Sequence, residues 1–462
     1  MHPRLAAAVA AGQLATFVVR RLGVGGGTTA PGHLVRALDP NAIASIATRI
    51  PRGTIVVTGT NGKTTTSRMI STLLRKASLR VMHNRSGANL IAGIASTLVN
   101  GSTLAGRPKA DVGLFEVDEA AFPTAVQELR PRLCVLTNLF RDQLDRYGEV
   151  DYLSRLWRET LSSLPPSSTV LLNADDPRVA SLGEGLSCRV LYYGIEDRTL
   201  AGTTLAHASD SRFCLRCGTP YDYPAVFYSH LGHYHCPSCG MTRPMPELRA
   251  MACQLLGIEG SRLQVEAPTG SVELEVRVPG LYNVYNALAA TGVGVAMGID
   301  LETIRAGLAD FSAAFGRVER VQLQGRQLFL ALVKNPVGFN EVLSTLLREP
   351  GQRALMIVIN DLFADGTDVS WLWDVDFEML AGRVQFAVTS GLRAADMAVR
   401  LKYAGVDSRL ITVEADSAKA LQRALEEIPE GDTLYLLPTY TAMLDVRGKL
   451  VDAGHLSPFW ED

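Results

Sequence analysis

Between Thr58 and Thr66 the chain reads Thr-Gly-Thr-Asn-Gly-Lys-Thr-Thr-Thr, and these residue types in this order can hold a polyphosphate. A β-branched run, Thr54 to Thr58, leads into the turn Gly59-Thr60-Asn61-Gly62, and Lys63-Thr64-Thr65 opens a helix. Backbone N–H groups of the turn and of the helix N-terminus would face the phosphates, with the Lys63 ammonium on the outer ones and the Thr64 hydroxyl on Mg²⁺. The spacing departs from the usual phosphate loop, because only Thr60 and Asn61 separate the two glycines. A Gly-rich turn without a ligand is the plainer alternative, but the strand before and the Lys-Thr-Thr after are the context that phosphate binding requires. The chain is expected to bind ATP with Mg²⁺.

A second constellation lies far downstream. Cys214-Leu-Arg-Cys217 is followed after 18 residues by Cys236-Pro-Ser-Cys239. Two such knuckles supply four thiolates, which close a tetrahedron around Zn²⁺ and leave no open coordination position, so the metal is expected to be structural. Gly218 and Gly240 follow the second cysteine of each pair and let the backbone turn back. His230, His233 and His235 read as surface residues or as neighbours of the metal shell, since four cysteines suffice. Either pair alone could be a redox dithiol, though both together fit one poorly. The remaining Cys134, Cys188 and Cys253 need no chemistry, and Cys134 and Cys188 sit in apolar, strand-like runs. Such cysteine usage fits a reducing compartment.

The Thr58–Thr65 string resembles the nucleotide loop of the Mur ligase family, which joins an amine to a carboxylate through an acyl phosphate. That chemistry needs a second carboxylate at a strand end for Mg²⁺, and Leu114-Phe115-Glu116-Val117-Asp118-Glu119 offers Glu116; Asp118 and Glu119 are left between helix capping, solvation and a part in the site. Further strings carry the resemblance. In Thr137-Asn138-Leu139-Phe140-Arg141-Asp142-Gln143-Leu144-Asp145, it implies that Asn138 holds nucleotide or metal and that Asp142 or Asp145 orients substrate. Asn173-Ala174-Asp175-Asp176-Pro177 matches a family turn. Asn283 and Asn286, after Pro279-Gly280, are three apart on one helix face, and by resemblance lie beside the adenine. Gly316-Arg317-Val318-Glu319 resembles the family's last interdomain linker, with Arg317 within reach of a phosphate. His83 to Asn89 either lines the substrate cleft or is a plain loop.

Two departures narrow the resemblance. About fifty residues precede the loop, too few for a domain that grips a UDP-linked precursor. Leu332-Val333-Lys334-Asn335-Pro336 also replaces the family's usual stretch in the last domain. With Asn360-Asp361 to Glu378 and Thr439 to Arg447, and with the four-cysteine insertion, the chain resembles over nearly its whole length the MurT family, the ligase subunits of lipid II isoglutaminyl synthases. The resemblance implies ATP-dependent amidation of the D-glutamate α-carboxylate of lipid II, with ammonia from a glutaminase subunit of the GatD type. It also implies that a ligase-subunit aspartate completes the partner's cysteine–histidine site. Asp374 is the first choice and Asp368 the second, beside Trp371, Trp373 and Phe377, which would equally suit a packing face or a protein interface. The rival readings are a ligase that adds an amino acid, as folylpolyglutamate synthases do, and a zinc-ribbon binding module switched by nucleotide.

The elements that must position these residues follow from the alternation of apolar strand-like and helical runs. With 462 residues, about three units of roughly 150 are expected. They are a helical arm at 1–52, a P-loop-type parallel-sheet domain at 53–312 interrupted by a zinc-ribbon insertion at about 200–249, and a Rossmann-like α/β domain at 313–462 that contacts the partner. Strands are expected at Thr54–Thr58, Val112–Val117, Leu133–Asn138 and Val170–Asn173, then at Gln327–Val333, Ala354–Asn360, Val384–Thr389, Arg409–Val413 and Thr433–Leu437. The fold class is α/β. A formal net charge of −2 gives no footprint for nucleic acid. The apolar stretch Leu5 to Val19 is too short for a membrane span and lacks a cleavage site. It reads as a packed helix, or as one lying on a membrane surface between Arg4 and Arg20-Arg21. The expected setting is the cytoplasm, at the inner face of the membrane that carries lipid II.

Overall fold

The computed structural model describes residues 3–21, 29–84, 88–141, 150–202, 205, 209–311 and 318–456. Two open α/β sheets dominate it. The first joins β1 (Thr54–Thr58), β2 (Val81–His83), β3 (Val112–Glu116), β4 (Leu133–Leu136), β5 (Thr169–Asn173) and β6 (Arg189–Ile195) in parallel, in the order β6-β5-β4-β1-β3-β2. The apolar runs of β1, β3 and β4 are buried at every position, as a parallel sheet covered on both faces requires. One apolar cluster lies on each face. Phe115, Phe122, Leu136 and Trp157 belong to one, and Ile55, Met69, Leu73 and Val284 to the other.

The helix Lys63–Lys76 follows β1 and packs against the helices Leu281–Ala296 and Leu301–Ala309. The last contact is backbone to backbone, since a Cβ on Gly307 would stand 2.7 Å from the Leu73 Cα. Upstream, the helices Pro3–Arg21, Ala30–Leu38 and Ala42–Ala47 pack around Ile91–Asn100. Leu5, Ala8 and Val9 are buried there, whereas Leu14, Phe17 and Val18 face outward. Among the described residues no helix is long and apolar enough to cross a membrane.

After β6 the chain leaves the sheet and forms the two-stranded antiparallel hairpin β7 (Asp222–Tyr228) and β8 (Leu231–His235). It re-enters at β9 (Leu248–Leu255), parallel to β6. The strands β10 (Ser261–Ala267) and β11 (Gly270–Val276) then extend the edge antiparallel.

The second sheet runs β12 (Val318–Leu323), β13 (Arg326–Ala331), β17 (Thr433–Pro438), β14 (Arg353–Val358), β15 (Val384–Ser390) and β16 (Ile411–Val413). All neighbours are parallel except β12 with β13. The loops after β13, β14, β15 and β17 therefore emerge at one end of the sheet, where open α/β sheets gather ligands.

Candidate active site and metal centre

The turn after β1 is shaped by two glycines that no other residue could replace. Gly59 has φ +137°, and a Cβ there would stand 2.1 Å from Thr137 Oγ1; Gly62 has φ +86°, and a Cβ would stand 2.3 Å from Asn286 Oδ1. Asn138 clamps the turn on both sides, accepting from Asn61 N (2.8 Å) and donating through Nδ2 to Asn61 O (3.0 Å), while Thr60 N donates to Asn138 O (3.0 Å). Asp176 fixes the stretch behind Asn138 by accepting from Leu139 N (2.9 Å) and capping the short helix Pro177–Ser181.

Lys63 begins the helix, so the N–H groups of this first turn lack intrahelical acceptors. Its ammonium donates to Gly59 O (2.5 Å) and Thr60 O (3.2 Å) and pairs with Glu119 Oε2 at 2.9 Å. Both side chains of that pair are buried, 8% and 3% exposed. Glu119 thus joins the Gly59–Lys63 loop and does not cap a helix, a choice the sequence leaves open. Thr64 Oγ1 donates to Glu116 Oε1 at 2.9 Å. That spacing is shared by a hydroxyl–carboxylate hydrogen bond and by adjacent ligands of an octahedron with bonds of ~2.1 Å. Asn84 holds the Glu116 backbone from both sides, through Glu116 N to Asn84 Oδ1 and Asn84 Nδ2 to Glu116 O, each 2.8 Å.

A cleft opens beside this loop. One wall is Asn61, Gly62, Thr65 and Asn138, and the floor includes Asn283 and Asn286. Asn286 accepts from Thr66 Oγ1 (3.1 Å) and donates to Asn283 Oδ1 (2.9 Å), so the pair is tied to the helix that starts at Lys63. The opposite wall comes from the second sheet. Past β13, Lys334 and Asn335 reach the loop, with Asn335 Nδ2 donating to Asn61 Oδ1 at 3.0 Å, and the helix Pro336–Leu346 brings Val337 and Glu341 to the cleft. The lining of apolar side chains and amides suits a nucleotide. Arg317, Asp142 and Asp145 lie outside the described residues.

The four cysteines converge. All four sulfurs lie within 4.8 Å of one another, with Cys214 and Cys239 at 3.5 Å and Cys217 and Cys236 at 3.4 Å. Four sulfurs at ~2.3 Å from a central Zn²⁺ would stand about 3.8 Å apart, so the set fits that ion. Each knuckle is built alike. Gly218 N donates to Cys214 O and Gly240 N to Cys236 O, with φ +75° and +74° at the two glycines. The Thr219 hydroxyl and backbone N–H pull Cys217 down to about 6, which favours thiolate there.

The knuckles form the base of the β7–β8 hairpin, and its tip reaches the cleft, where Tyr228 forms part of the lining. Asp175 ties this insertion to the sheet, accepting from Ile195 N (2.9 Å), Tyr285 Oη (2.7 Å) and Arg243 Nε (2.5 Å). His230 and His233 are buried in this packing, His230 against Phe140, and neither joins the cysteine group. His235 is exposed.

Asp368 and Asp374 are exposed on the second sheet's domain and line no part of the cleft. Asp368 accepts from Ser370 N (2.8 Å), and this bond holds its carboxyl below the usual range. Beside Asp374, Trp373 is 56% exposed and stacks near Tyr403 and the Arg400 guanidinium; Phe363, 79% exposed, lies on the same domain. Three parts of the site were not assigned from sequence: Glu119, Asn84 and the Lys334–Glu341 wall. The ambiguous Asp118-Glu119 pair was the one available signal for Glu119.

Comparison with known proteins places this arrangement. Residues 57–230 match the Mur ligase middle domain, and residues 332–443 match the MurT ligase C-terminal family. The chain is 33% identical to the lipid II isoglutaminyl synthase (glutamine-hydrolyzing) subunit MurT of Staphylococcus aureus (strain N315), covering 92% of this chain and 93% of that one. Its counterpart in Streptococcus pneumoniae (strain ATCC BAA-255 / R6) is also 33% identical, with 95% of each chain covered. Among solved structures, a pseudomurein peptide ligase type C from Methanothermus fervidus superposes with a TM-score of 0.67 at 22% identity, over 91% of this chain and 84% of that one. The MurF ligase from Thermotoga maritima in complex with ADP superposes with a TM-score of 0.63 at 13% identity, over 92% and 85%. These two share the fold.

Proposed function

The chain belongs to the Mur ligase family, among its MurT ligase subunits, and from that premise we propose that it amidates the D-glutamate α-carboxylate of the lipid II stem peptide. The carboxylate is activated by ATP as an acyl phosphate, and ammonia released from glutamine by a GatD-type partner subunit displaces the phosphate to leave the carboxamide. The observation that carries this reading is the Thr64–Glu116 pair standing beside Lys63 at the loop.

Bound Mg²⁺ would supply charge neutralisation for the transferring phosphoryl group, held by Thr64 and Glu116. Lys63 exchanges its loop carbonyls and Glu119 for phosphate oxygens, and Asn138 keeps the turn in register. Asn283 and Asn286 face the adenine side of the cleft, and the Lys334–Asn335 wall excludes water from the acyl phosphate. By resemblance to the family, Arg317 is assigned to a phosphate of the nucleotide. The cysteine quartet holds structural Zn²⁺. The domain boundaries are 1–52, 53–312 and 313–462. Exposed Trp373 and Phe363 form part of the partner surface, and Asp374, with Asp368 second, orients the partner's catalytic histidine. The complex works on the cytoplasmic face of the membrane.

The test is mass spectrometry of lipid II after incubation of the purified complex with ATP and glutamine. Exchange of one hydroxyl for an amino group is expected, and transfer of ¹⁸O from the labelled acid into orthophosphate identifies the acyl phosphate. An unchanged lipid II mass overturns the assignment. In the same assay Asp374→Asn lowers amidation from glutamine but spares amidation from free ammonium; equal loss with both nitrogen sources removes its role in the partner's site.

A further inference from the structure

Among the described residues that border the cleft is one acidic group that the ligase reading leaves unused. Glu341 sits in the second turn of the helix Pro336–Leu346, is 9% exposed and borders the cleft. Its backbone carbonyl accepts from Thr345 Oγ1 (2.8 Å), but among the described residues its carboxyl has no hydrogen-bond or ion-pair partner. Its carboxyl oxygens remain accessible from the cleft, and an enclosed acid that faces a cleft is a candidate for ligand binding.

We propose that the Glu341 carboxyl reads the purine base of the bound nucleotide and selects a 6-amino purine over a 6-oxo one. The inference rests on the ATP-dependent reading above and adds the residue that chooses the base. A protonated carboxyl presents one O–H donor beside one carbonyl acceptor. Along its N6–N7 edge adenine presents the matching pair, an amino donor beside the N7 acceptor, whereas guanine presents two acceptors there, O6 and N7. The carbonyl of the acid would then meet another acceptor, and a buried polar group would go unpaired.

The surroundings keep the acid neutral. Burial pushes Glu341 up to about 8, with Arg348 pulling weakly the other way. Tyr228, Tyr282 and Lys334 border the same cleft. On the neighbouring segments Asp376 is bonded to Asn340, Glu378 to Arg400, Glu259 to Arg320 and Tyr285 to Asp175, while Asp374 is exposed. The neutral form is the competent one, so binding is intact below about pH 8 and is lost above it, where the carboxylate has no donor left.

The experiment is displacement of a fluorescent ATP analogue from the full chain by ATP and by GTP, between pH 6.5 and 9.5. The wild type is expected to prefer ATP and to lose affinity for it above about pH 8. Glu341→Leu should shrink the ATP-over-GTP preference by about 5- to 160-fold, the range for one bidentate base contact. Glu341→Gln carries the same donor and acceptor at every pH and should flatten the alkaline fall. An unchanged preference in the leucine variant, or an unchanged pH profile in the glutamine variant, overturns the inference and leaves the ligase function standing. A wild-type chain that binds no ATP overturns both.

Discussion

The hairpin β7–β8 has a polar cluster at each end, and the two are assembled differently. At its base, four thiols converge from one short stretch, Cys214 to Cys239, on knuckles with the same turn and the same glycine. At its tip, Tyr228 borders a cleft whose walls run from Asn61 to Val342 and come from two sheets. The first cluster is encoded locally and has no open coordination position for chemistry. The second exists only when distant segments meet, and among the described residues its Glu341 carboxyl has no partner. A local site serves the fold, whereas an assembled one can bind, close and react.

The largest effect tests the locally encoded cluster. Cys236→Ser should abolish metal binding and open the hairpin, since structural zinc contributes on the order of 10 kcal/mol to small metal-bound folds. Metal-to-protein ratio and limited proteolysis across residues 209–247 read this out; unaltered metal content and protease resistance would contradict it. The Lys63 loop, on its own strand and helix, should remain folded.

Next comes the buried pair inside the cleft. Lys63→Ala should remove amidation and, by taking away the buried cation that faces Glu119, destabilise the chain by up to about 3–5 kcal/mol. Adding Glu119→Gln should restore most of the stability but none of the activity. Denaturation curves and the amidation assay separate the two, and a single variant as stable as wild type would show that the pair has no structural weight.

The smallest effect sharpens the comparison where the two sheets touch. Asn335 caps its helix through Gly338 N (2.8 Å) and bonds Asn61 across the cleft. Asn335→Ala should cost about 1 kcal/mol of stability as a lost cap and weaken ATP binding several-fold while metal content is unchanged. Undiminished nucleotide affinity would mean that the wall does not touch the ligand.

Legibility followed the same division. The phosphate loop and the cysteine knuckles were readable because their geometry is set by neighbours in the chain, where glycine, lysine, threonine and cysteine at short spacings allow few backbone paths. The apolar runs of β1, β3, β5 and β14 were equally plain, since a strand buried on both faces has no alternation to confuse it. Less readable were β6, whose Arg-Val-Leu-Tyr-Tyr mixes polarity at the point where the insertion departs, and β9, which re-enters the sheet at Leu248, inside the stretch expected for the ribbon. His230 was expected near the surface or the metal, but packing of the hairpin tip against Phe140 buries it.

By itself the sequence determined an α/β chain with a glycine-rich Gly-Lys-Thr turn, a four-cysteine cluster that could hold a metal and two sheet-forming halves, because each is specified by residues within a few turns of one another. Only the tertiary structure decided that Glu119 faces Lys63, that Asn335 meets Asn61 and that Glu341 borders the cleft. Those side chains are brought together by how two sheets dock. A carboxylate or amide carries no mark in the chain of which distant group will face it once water is excluded.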